Sequence, residues 1–131
     1  MREKDITGRQ KDLSRQAQEL GFPQEVDRGD WYLIGEQPIL CNYSEGTLRA
    51  FDPEKHALVL EYRHCLAWFE KEGWEIRSIV KGVHPREGQF CITIRDAAAK
   101  KYEDGNSRFA FGSTVDEAAA ALVNKLTELK K

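Results

Sequence analysis

Residues 111–126 read FGSTVDEAAAALVNKL, and no other stretch limits the fold as tightly. Val115, Ala119, Leu122, Leu126 and Leu129 recur at i, i+4, i+7, i+11 and i+14, the spacing that lines one side of an amphipathic helix. Ser113 or Thr114 supplies the N-cap, with Asp116 or Glu117 three residues on. The acids at the start and Lys130-Lys131 at the end suit the two poles of the helix dipole. The spacing directs Ala119 and Leu122 at a sheet and leaves Ala120 and Ala121 nearer solvent. A helix of this kind closes a layered domain.

The elements that it would close over can be read upstream. Leu13, Ala17 and Leu20 share one helical face, and Gly21 then Pro23 end that helix, so the reading is a helix over 9–20. WYLI and the apolar run after Gly35-Glu36-Gln37 predict a hairpin at 31–34 and 38–42, with Pro38 pushing its second strand to a sheet edge. Leu58, Tyr62, Cys65, Leu66 and Phe69 lie on one face of a second helix that ends at Gly73. Its start is open between Asp52-Pro53 and Glu61, and the later start is favoured because HALVL suits a short buried strand or linker. WEIRSIVKGV and GQFCITIRD read as strands joined by the 84–88 turn, with Phe90, Ile92 and Ile94 on one face. Residues 96–107 fit either a short helix or an extended insertion, and Arg108 to Phe111 form a last strand. Trp74, Phe90, Phe109 and Phe111 are expected in the sheet core. The fold class is α+β: a small antiparallel sheet packed with helices, an α-β-β portion (1–55) followed by an α-β-β-β-α sandwich (56–131), in one domain of 131 residues.

The helix ending in EKEGW, the strands that follow and the alanine-rich closing helix STVDEAAAALVNKL together resemble the phage ABA sandwich domain. The upstream portion, ELGFPQEV followed by GDWYLIGEQPILC, resembles a module that often precedes that domain in small phage-related proteins. The resemblance implies a phage or prophage accessory protein and carries no catalytic residues to transfer. The sequence departs from it in the long charged 96–107 stretch and in Leu60, which stands where a helix-starting proline is expected.

Composition narrows the chemistry. A formal net charge of −2 with interspersed signs gives no whole-molecule field that would demand nucleic acid or an anionic membrane. No window approaches the roughly eighteen apolar residues of a membrane helix, and MREKDITGRQ lacks the apolar centre of a signal peptide, so a cytosolic protein is expected. Cys41, Cys65 and Cys91 form no CxxC pair and no zinc pattern, and read as reduced, partly buried residues. His64 and Cys65 are adjacent, hence about 100° apart on a helix. A Cys–His nucleophile would need Cys91 to meet His84 or His56 across the fold. No glycine-rich phosphate loop is present. Neither catalytic residues nor a cofactor or metal is expected.

Two binding readings remain. The first is a protein partner, from host or phage, with Trp31 or Trp68 as interface anchors; a homo-oligomer is compatible with it. The second is nucleic acid, since α-β-β-β-α is also the order of the double-stranded-RNA-binding domain, with Lys81, Arg86, Arg95, Lys100, Lys101 and Arg108 along a backbone. Asp116 and Glu117 stand where that module needs lysines and would repel phosphate, which disfavours the second reading.

Overall fold

The computed structural model describes residues 3–42, 51–82, 89–98 and 107–129. The 84–88 turn, the undecided centre of the 96–107 stretch, and His84, Arg86, Lys100 and Lys101 lie outside them. The architecture is α+β, and the chain divides into two compact units, Met1–Val59 and Leu60–Lys131.

In the N-terminal unit, helix α1 spans Gly8–Glu19. Thr7 caps it, accepting the Gln10 N–H at 3.0 Å, and the chain leaves it through Gly21, whose φ of 98° is open to glycine at little cost. The N–H groups of Gly21 and Phe22 return to the carbonyls of Gln18 and Ala17, the paired bonds of a Schellman ending. Strands β1 (Trp31–Ile34), β2 (Gln37–Leu40) and β3 (Ala57–Leu58) form an antiparallel sheet in the order β2-β1-β3. Pro38 is therefore on an edge strand, where its missing N–H disturbs no inner ladder. Arg15 and Lys11 donate to the carbonyls of Gly35 and Glu36, tying α1 to the β1–β2 turn. HALVL does contain a short buried strand, but β3 pairs with β1, and the Val59 N–H continues the ladder onto the Trp31 carbonyl. Backbone pairing thus puts residues 57–59 with the N-terminal unit rather than with the C-terminal portion.

The C-terminal unit follows the α-β-β-β-α order. Helix α2 (Tyr62–Lys71) takes the later of the two starts, with Glu61 as its N-cap residue. Strands β4 (Trp74–Lys81), β5 (Phe90–Asp96) and β6 (Ser107–Gly112) pair antiparallel in chain order, and α3 (Val115–Leu129) closes the unit. Alternation sorts the sheet. Ile92 and Ile94 are fully buried, with Ala110 and Arg108 opposite them on β6. Helices α2 and α3 touch each other and both pack on the sheet, so they share this one face. The unit has two layers.

The start of α3 is fixed by two caps. Thr114 Oγ1 accepts the Glu117 N–H at 3.1 Å while the Glu117 carboxylate takes the Ser113 hydroxyl; Asp116 Oδ1 accepts the Tyr62 N–H at 2.6 Å and so caps α2. Burial of α3 is wider than the stripe predicted. Ala118, Ala119, Ala120, Leu122, Val123 and Leu126 are all buried, whereas Leu129 is 62% exposed. Ala120 is thus interior rather than nearer solvent, because α3 is covered by α2 as well as by the sheet. The stripe ends at Leu126.

Two outcomes follow from this packing. Leu122→Asp buries an unpaired charge in a fully enclosed site, a loss on the order of 4 kcal/mol or more; circular dichroism should show no cooperative melt for that unit. Gly112→Ala places a Cβ 2.4 Å from the Ala118 nitrogen and 2.7 Å from Glu117 Cβ. Overpacking of this kind costs about 1–3 kcal/mol, so thermal melting should shift down by several degrees.

Candidate binding face

The face of the C-terminal sheet turned away from α2 and α3 is built from three cross-strand rows. Glu75, Arg95 and Ser107 form the first; Ser78, Thr93 and Phe109 the second; Val80, Cys91 and Phe111 the third. A bulge at Arg77 between Ile76 and Ser78 shifts the alternation of β4, which brings Ser78 and Val80 onto this face. No described element of the unit covers it. Phe109 is 48% exposed and Val80 52%. The rings of Phe109 and Phe111 meet edge to face, with centroids 5.7 Å apart. The expectation that Phe109 belongs to the sheet core is therefore corrected: α3 lies so close to β6 at Gly112 that no side chain fits there, and Phe109 and Phe111 occupy the opposite parity of the strand.

Charge is concentrated at one end. Arg95 Nε meets Glu75 Oε1 at 2.9 Å. Arg77 Nη1 reaches the Ser107 hydroxyl at 3.3 Å. At the outer edge of β6, Lys125 donates to the Phe109 carbonyl at 3.0 Å and holds its ammonium 4.8 Å from the centre of the Phe109 ring, a lysine guarding an edge strand.

The expected site residues are distributed differently. Trp31 is only 9% exposed and packs with Ile6, Leu33, Ala57 and Val59, so its ring has little surface left for a partner. Trp68 is half-buried and edge to face with Phe69. Of the basic set, Arg95 is on the open face and ion-paired, Arg108 opposes Ile94 on the helix-covered face, and Lys81 opposes Phe90 at the end of β4. These three do not form one basic surface. Arg86, Lys100 and Lys101 are not described.

Among the described residues, the cysteines and histidines have local surroundings that explain them. Cys41 and Cys65 are buried and Cys91 is half-buried on the open face, its Sγ 4.0 Å from Thr93 Oγ1. Burial pushes the Cys65 thiol far up, and the nearby Asp116 carboxylate adds to the rise, which makes its thiolate inaccessible at neutral pH. His56 Nδ1 accepts the Asp52 N–H at 3.0 Å beside the rings of Tyr32 and Phe51. His64 Nδ1 accepts the Glu61 N–H at 3.0 Å. Both imidazoles organise backbone turns. Among the described residues no helix is long and apolar enough to cross a membrane.

Comparison of the chain with protein-family models, curated proteins and solved structures found no match. The open face could have been noticed in the sequence from one signal. Ala110 and Gly112 alternate with Phe109 and Phe111, and a closely packed alanine-rich helix needs small neighbours. Thiol labelling of the native chain checks the placement: Cys91 should react first, while Cys65 and Cys41 should react only on unfolding. Equal rates for all three would contradict the burial assigned here.

Proposed function

We propose that this chain is a non-enzymatic binding protein that acts by protein–protein contact through the open face of β4, β5 and β6. The observation that supports this reading is a sheet face that presents Val80, Phe109 and Phe111 on its outer side, with Phe109 on the edge strand keeping 48% of its surface in water. Exposed apolar patches of this kind mark interaction sites on soluble domains. The resemblance to the phage ABA sandwich domain supports a phage or prophage accessory role, and with it a place in the bacterial cytosol. The nucleic-acid reading has less support, because the α3 start is occupied by carboxylates engaged in caps and because Arg95 and Arg108 point to opposite faces.

The reading predicts a separation of binding from stability. Phe109→Ser combined with Val80→Ser should cost about 1 kcal/mol or less in melting experiments. The same variant, immobilised beside the wild-type chain, should lose a bacterial partner that the wild type retains. Identical retention by both proteins would remove the open face from the account.

A further inference from the structure

This inference rests on the open face being the binding surface, and concerns what that surface selects. The three rows are spaced along the strands by two residues, about 6–7 Å, and they differ in character. One end carries Glu75, Arg95 and Ser107, and the other carries Val80, Cys91 and Phe111. Glu75 is the carboxylate within the rows and is matched by Arg95 at 2.9 Å. Two further cations remain. Arg77 extends from β4 toward β6 and rests on a serine hydroxyl, and Lys125 rests on a carbonyl oxygen and a ring. Both are exposed and both are held by neutral groups. Among the described residues the face is therefore locally positive, on a chain whose net charge is −2.

We infer that the occupant is a segment of a partner protein bearing a carboxylate beside aromatic or aliphatic side chains. A carboxylate meeting Arg77 or Lys125 gains charge-assisted hydrogen bonds that neutral partners do not supply. Its apolar neighbours cover Val80, Phe109 and Phe111, removing that surface from water. An extended peptide suits the geometry, since its same-side residues repeat at the spacing of the rows. A nucleic-acid strand suits it less. Base stacking needs an open ring face, whereas one side of Phe109 faces the Lys125 ammonium and Phe111 stands at 83° to it.

The test is selection of short random peptides on the immobilised full-length chain, followed by fluorescence anisotropy with the enriched peptides and with oligodeoxythymidine. Enriched sequences should place Asp or Glu next to Phe, Leu or Ile. Arg77→Glu with Lys125→Glu should weaken them about ten-fold or more, Arg77→Gln with Lys125→Gln should weaken them less, and added salt should weaken binding to the wild type. Melting curves of the wild type and of both double variants check that each folds. Peptides that depend on Phe109 and not on Arg77 or Lys125 would overturn this inference while leaving the proposed function standing. Preferential binding of oligodeoxythymidine would overturn both, as would the absence of any peptide whose binding depends on Phe109.

Discussion

A side chain on Gly112 would place its first carbon 2.4 Å from the Ala118 nitrogen, closer than a Cβ approaches a non-bonded atom. That close approach lets the first turns of α3 lie directly on β6, and most of the C-terminal unit is arranged around it. Thr114 and Glu117 close the N-terminus of α3, and Asp116 extends from the same turn to the first N–H of α2. One short segment thus positions both helices on the same side of the sheet. Leu122, Val123 and Leu126 then complete a core with Ile92, Ile94, Cys65 and Phe69.

The open face is a by-product of that constraint. Because the inner side of β6 has no room for a side chain at Gly112, Ala110 and Gly112 face α3 at that end of the strand, and Phe109 and Phe111 lie on the outer side. Keeping aromatic rings in water is unfavourable for folding alone, and the edge beside them is protected by Lys125 rather than by another strand. A chain that tolerates this arrangement gains a surface with apolar, aromatic and cationic parts within three rows. Cys91 belongs to that surface, while Cys65 is sealed in the core and kept protonated by burial.

Much of the fold was legible because local chemistry agrees with tertiary structure in those places. Helix ends carry their own signals: Thr114 as a cap, Gly21 and Gly73 with φ of 98° and 86°. The hairpin at Gly35 and the late start of α2 were readable from the same kind of evidence in residue type and spacing. Positions that depend on several layers at once were not. Ala120 looks solvent-facing on a helical projection until a second helix covers it, and β6 looks like a core strand with Phe109 and Phe111 inside until the approach of α3 reverses the assignment. The burial of Trp31 was not legible for a related reason, since the pairing of β3 with β1 that helps enclose it depends on residues 57–59 returning across the chain. Hydrophobic alternation records which residues share a face, and only packing decides which face is covered.

The central claim is that α2 and α3 cover one side of the β4–β6 sheet and leave the other in water. Solvent paramagnetic relaxation enhancement measured by NMR on the full chain tests it residue by residue. The account predicts strong enhancement at the Val80 methyls and the Phe109 ring, and little at the methyls of Ile92, Ile94 and Leu122. Equal protection of Val80 and Ile92, or a Phe109 ring as shielded as Leu122, would contradict it.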